Sequence, residues 1–277
     1  MYVTKIHRKV MKAMLTKNFG IEIELTGITR KKTAEVIKEH LNGKLEYLSG
    51  QNYQVKAPDG RIWTVVYDGS LRCQRKVNGR KTSAGKEYSV EIVSPILSYE
   101  KDIDCLQELV RKVRKAGGFI NNSAGIHIHL NGSDHTPRSL RNFINIIYSR
   151  NDLLYNSLQI EANRIRYCKA LDKNLVERMK KKKPTTFEEI EDIWYQGYYQ
   201  GRNRHYHDSR YHFLNLHSFF NGVGTVELRG FNGTLHAGKI RTYILLSLAM
   251  NNQALTQKSA STKKPQIENP KFAMRTW

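Results

Sequence analysis

Nothing in the sequence approaches the ~18 consecutive apolar residues of a membrane-spanning helix, so no membrane span is expected. Cysteine is scarce. Cys73, Cys105 and Cys168 have neither CxxC nor metal-finger spacing, which argues against a disulfide framework or a zinc finger and predicts free thiols in a reducing compartment. The opening MYVTKIHRKVMKAMLTKNF has no apolar core and no small-residue cleavage site, so it does not read as a secretory signal and a cytoplasmic location is expected. Internal repeats, low-complexity linkers and an HExxH metalloprotease motif are also missing.

Acidic residues are few: 25 Asp and Glu stand against 46 Lys and Arg, a net charge of +21. The cations cluster at residues 30–32, 72–86, 111–115 and 180–183. This balance favours anionic partners such as nucleic acid, phosphorylated cofactors or acidic substrates. The runs carry no nucleic-acid readout motif, so a solvated basic surface explains them equally well. The dense KKKKP run ending at Pro184 is expected to be an exposed loop. With 39% hydrophobic and 26% charged residues, the 277-residue chain has globular composition and length enough for a sizeable core.

Periodicity predicts strands at 18–26, within 44–56 and 61–68, and at 87–94, 125–130 and 225–231. It predicts helices near 31–42, 100–116 and 239–255, the last of them buried. Thr136 and Pro137 read as the N-cap and first residue of a helix running to about 165. Residues 72–86 look like a basic hairpin, 184–212 like a polar, aromatic-rich segment, and the closing KFAMRTW like a short or missing element. Strands and helices do not alternate regularly, and the alternating strands each have one polar face. The fold class is therefore α+β, with an antiparallel sheet and helices on its opposite face.

The polar faces carry the chemistry. In NFGIEIELT, Glu22 and Glu24 project from the same face, roughly 7 Å apart, behind which Phe19, Ile21, Ile23 and Leu25 are apolar. EYSVEIVS places Glu87, Ser89 and Glu91 on one face, GIHIHLN places His127, His129 and Asn131, and TVELRGF places Thr225, Glu227 and Arg229. So many carboxylates gathered on one sheet face would repel each other or take up protons unless cations lie between them. Oxygen donors with an imidazole or two suit Mg²⁺ or Mn²⁺.

The segments GIEIEL, DGSL, EIVSPIL, NSAGIHIHL, RYHFLNL and TVELRGFNGTLH occur in the order of the amidoligase family, which the sequence resembles over about residues 18–250. That family is similar in turn to glutamine synthetase and glutamate–cysteine ligase. The resemblance implies a single catalytic domain over 1–277, with a core of about 18–255, residues 1–17 and 256–277 peripheral, and a glutamine-synthetase-like antiparallel sheet forming a cup. It implies ATP and two or three divalent ions as cofactors. Glu22, Glu24, Glu91, His127 and Glu227 match metal ligands, with His129 as a further ligand or a structural residue. Arg229 matches an arginine that contacts phosphate or substrate carboxylate, and Asn122 and Gly125 match a segment that meets an acidic substrate. Asp68, Arg210 and Asn215 lie in family motifs. Glu87 reads as a strand-edge residue.

The expected function is ATP-dependent joining of a carboxylate to an amine through an acyl phosphate. Arg229 and Arg210 would stabilise the transferring phosphoryl group and Asp68 would orient or deprotonate the amine. The acid and amine could be an amino acid, a peptide, a cell-wall fragment or modified nucleic acid. A metal-dependent phosphohydrolase or nuclease could use the same carboxylates, and a basic nucleic-acid-binding module would account for the charge alone. The stretch 194–213 (WYQGYYQGRNRHYHDSRYHF) reads either as an aromatic surface for bases or anions or as a cover with mutually satisfied polar tips.

Overall fold

The structure is a computed structural model that describes residues 14–197 and 200–265. The first 13 residues, Tyr198 and Tyr199 of the aromatic stretch, and KFAMRTW lie outside the described residues. The fold is α+β, and the chain divides into two compact units, one of residues up to 128 plus 232–246, the other of residues 129–231 plus those from 247 onward.

The first unit begins with β1 (Asn18–Leu25), α1 (Arg30–Leu41), β2 (Lys44–Leu48), β3 (Asn52–Lys56) and β4 (Ile62–Val66). A detached hairpin follows, β5 (Gln74–Val77) with β6 (Arg80–Ser83), turning at Asn78 and Gly79, both with positive φ. Next come β7 (Val90–Val93), β8 (Leu97–Ser98), α2 (Tyr99–Lys115) and β9 (Gly125–Asn131), whose last residues belong to the second unit. The sheet order is β9-β1-β7-β4-β3-β2, with β8 also on β1, and neighbours from β1 to β2 run antiparallel.

The predicted alternation of β1 holds: Phe19, Ile21, Ile23 and Leu25 are buried on one side. Helix α1 packs on β3, β4, β7 and α2. It starts at Thr29, whose hydroxyl accepts from the Lys32 N–H, and ends at Asn42 with φ 51°. Helix α2 buries Ile103, Leu106, Leu109, Val110 and Val113, the predicted spacing, and stops before Gly117 with φ 107°. The predicted strand at 87–94 is shorter than expected, because residues 86–88 form a 3₁₀ turn and leave Glu87 exposed.

The second unit contains α3 (Pro137–Ser149), α4 (Asn151–Leu158), α5 (Lys173–Lys182), α6 (Phe187–Trp194), β10 (Leu214–Asn215), α7 (His217–Phe220) and β11 (Thr225–Asn232), whose last residue falls in the first unit. The last helix, α8 (Ala237–Thr256), is shared between the units; it is largely buried, but Lys239, Arg241 and Thr242 in its first turns are exposed. Thr136 caps α3 and Pro137 opens it, as the sequence predicts, and Ser139 completes a capping box.

Two expectations need correction, and one segment gains an element. The helix from 137 does not reach 165: the Arg150 N–H bonds back to the Ile147 carbonyl, tightening the last turn, and α4 begins afresh. The segment 184–212 contains a helix, α6, started by a capping box between Thr186 and Glu189. Lys180–Lys182 are not in a loop but in the last turn of α5, where the carbonyl end of the helix favours cations.

Candidate active site

In the first unit, β1 and β7 pair so that Glu24 lies directly opposite Glu91, with Glu22 opposite Val93. Paired residues of an antiparallel ladder share a face, so Glu22, Glu24 and Glu91 project together. From β9, His127 Nδ1 lies 2.7 Å from Glu22 Oε2 and its Nε2 3.4 Å from Glu24 Oε1. The Gly125 N–H donates to Glu24 Oε2 at 2.6 Å. Glu24 and His127 are buried, while Glu22 and Glu91 are half-buried.

Asp68 follows β4 by two residues, and β4 pairs Val66 with Glu91. Its backbone is held on both sides by one buried hydroxyl: Ser89 Oγ accepts from the Asp68 N–H at 3.0 Å and donates to the Asp68 carbonyl at 2.6 Å. Arg30, buried at the start of α1, anchors the same turn by donating from Nη1 to the carbonyls of Ser89 and Lys86 and from Nε to that of Gln51. Arg30 stands in a basic run of the sequence, and nothing there marks it as a staple.

Two donor trios result: Glu22, Glu91 and His127; and Glu24, Asp68 and Glu91. In each, one ligand atom per residue lies within 4.8 Å of the others. The Glu91 carboxyl is pushed well above the usual carboxylate range, first by burial and then by the charges of Glu22, Glu24 and Asp68. A divalent cation relieves that conflict. The donor set, rich in carboxylate with one imidazole, fits Mg²⁺ or Mn²⁺.

The second unit holds a different constellation. Asn215 lies opposite Glu227 across β10 and β11 and donates from Nδ2 to Glu227 Oε2 at 2.7 Å. Arg229 Nη1 donates to Glu227 Oε1 at 2.9 Å. All three are buried. The Arg229 guanidinium lies 6.0 Å from the Tyr211 ring centroid. Thus both oxygens of the Glu227 carboxylate are engaged, one by an amide and one by a guanidinium.

Residues 15–251 match the family model described as "Putative amidoligase enzyme". The chain belongs to this amidoligase family. No curated protein matches the chain.

The structure distributes the residues singled out in the sequence as follows. Glu22, Glu24, Glu91, His127 and Asp68 come together in the first unit, and Glu227, Arg229 and Asn215 in the second. His129 belongs to the second unit, with Nδ1 2.8 Å from Thr225 Oγ1. Gly125 serves Glu24 through its backbone, whereas Asn122 is exposed and accepts from Arg72 Nη2. Arg210 is engaged within the aromatic segment, donating from Nη1 to the His205 carbonyl with its guanidinium 5.2 Å from the Tyr206 ring centroid. Sequence reasoning missed Arg30, the double bridge from Ser89, and Tyr211. The three cysteines are unpaired, and no helix among the described residues is long and apolar enough to cross a membrane.

Proposed function

We propose that this family member is an ATP-dependent carboxylate–amine ligase. The observation that carries the reading is the pair of overlapping donor trios sharing Glu91. In the reaction, a carboxylate oxygen attacks the γ-phosphorus of ATP and ADP departs. An amine nitrogen then attacks the acyl phosphate, releasing inorganic phosphate and a proton and forming the amide.

Glu22, Glu24, Glu91, Asp68 and His127 would hold divalent ions, with Glu227 and His129 as further candidate ligands. Such ions, when bound, offset the negative charge that phosphoryl transfer concentrates on oxygen. The chain's own residues fix the remaining requirements. Gly125 holds the Glu24 carboxylate by its N–H. Ser89 fixes the backbone of Asp68, whose carboxylate orients the amine and takes up its proton. Glu227 and Asn215 pre-orient Arg229, which supplies positive charge to phosphate or to the substrate carboxylate, with Arg210 as a second cation. The reading leaves the acid and amine open among amino acids, peptides, cell-wall fragments and modified nucleic acid. The unpaired cysteines and the need for ATP accord with a cytoplasmic setting.

The test is ADP release from ATP with Mg²⁺ or Mn²⁺ across a panel of carboxylates. Glu24→Ala and Glu227→Ala should abolish turnover while the circular dichroism spectrum is unchanged. Wild-type rates in both variants at saturating metal would overturn the reading.

A further inference from the structure

The second unit contains a cavity of about 600 Å³ whose walls include α5, the end of α6 and the turn at residues 204–209. Its volume is in the range of pockets that take small organic ligands. Three cations reach it from separate parts of the chain: Lys169, Arg178 and Arg204. None has a hydrogen-bond or ion-pair partner for its side chain among the described residues, and Arg178 is half-buried with its Nε fully shielded and unsatisfied. An arginine held in that state is costly unless an acceptor arrives.

Two carboxylates, Asp172 and Asp208, also line the cavity, but neither forms an ion pair with these three cations among the described residues. Asp172 is committed as the N-cap of α5, its Oδ1 accepting from the N–H groups of Asn174 and Leu175. Asp208 is exposed beside His207 and forms no ion pair among the described residues. The two histidines of the wall add no charge. His207 Nδ1 accepts from the Ser209 N–H, which leaves the hydrogen on Nε2, and burial holds both His207 and His212 below the usual imidazole range. Trp194 and the exposed Tyr206 supply apolar ring surface.

We infer that this cavity binds a small organic polyanion, in which two or more carboxylate or phosphate groups sit on a carbon frame that the Trp194 and Tyr206 rings contact. Arg178 is the central contact, with Lys169 and Arg204 completing the recognition. Three unpartnered cations call for more than one negative charge, and the aromatic wall calls for an organic frame over a bare ion. The inference does not depend on the ligase reading, because no residue of the cavity belongs to the donor trios.

Isothermal titration of the full chain in EDTA, with no divalent metal present, tests it. The probes are citrate, a triglutamate peptide, AMP and inorganic phosphate. At least one organic probe should bind with a dissociation constant below about 1 mM, the carboxylate and phosphate arms showing which source is preferred. Arg178→Gln should weaken it at least tenfold, and the double variant K169Q/R204Q, whose exposed sites are safe for folding, should do the same. Binding in EDTA also separates this site from a metal-dependent one, so Glu24→Gln should leave it unchanged. No binding by any probe, equal binding of inorganic phosphate and the organic anions, or unchanged affinity in the K169Q/R204Q variant would overturn the inference.

Discussion

Glu24 and Glu91 face each other directly across β1 and β7, two carboxylates in register on one side of the sheet. A cross-strand pair of like charges opposes folding. The fold keeps it, and adds Glu22 and Asp68 to the same neighbourhood. Such an arrangement costs stability unless a cation lies between the carboxylates.

The consequence for Glu91 is specific. Its folded-state pKa is raised, by burial first and the neighbouring carboxylates second, so the metal-free folded state holds a proton that the unfolded chain releases at lower pH. This group's stabilisation is present below the ordinary glutamate value of 4.5 and is lost as pH rises through the raised value. The metal-free protein should therefore melt lower as pH rises above that ordinary value, and the increase in Tm on adding Mn²⁺ should grow over the same interval. Thermal scans with EDTA or Mn²⁺ read both. Glu91→Gln should raise the metal-free Tm, by about 2–4 °C if the relief amounts to about 1 kcal/mol, and should remove the metal response.

Ser89 offers a test of positioning. Its hydroxyl satisfies both the N–H and the carbonyl of Asp68, and the residue is fully buried. Ser89→Ala should cost about 1–3 kcal/mol in urea unfolding, since the two backbone groups lose a common partner. If Asp68 handles the amine, ADP release should persist while capture by amines falls at least tenfold.

Gly230 lies against the Phe213 ring so closely that an added Cβ would overlap it. The strand can accommodate that contact only by shifting, and Arg229 is the preceding residue. Gly230→Ala should destabilise the protein by about 1–3 kcal/mol, as overpacking does. Turnover should fall beyond what the loss of folded protein explains. A variant with unchanged unfolding midpoint and activity would contradict this packing.

Thr136→Ala should cost about 1 kcal/mol, because its hydroxyl caps α3 and Ser139 answers it. Urea unfolding measures this, and turnover per folded molecule should not change.

The sequence was most informative where chemistry and periodicity coincide. Glu22 and Glu24 alternate with buried apolar residues in β1, and that alternation survives in the structure because one face must be buried. It could not give the strand order: β7 lies between β1 and β4 although about 65 residues separate β1 from β7 along the chain. Arg30 was hidden in a run of cations, since burial of a guanidinium depends on carbonyls supplied by distant segments. Helix α6 carried a readable start, Thr186 three residues before Glu189, inside a polar, aromatic-rich segment to which the periodicity assigns no element. The break at Arg150 left no such mark, being a local tightening of hydrogen bonds.

Trapping with hydroxylamine tests the central claim most directly. The protein is incubated with ATP, Mg²⁺ or Mn²⁺, hydroxylamine and a panel of amino acids, acidic peptides and cell-wall fragments. Ligase chemistry predicts a hydroxamate from at least one acid, formed in step with ADP and lost in Glu24→Ala. ADP released without hydroxamate from any acid, or hydroxamate formed undiminished by Glu24→Ala, would contradict it.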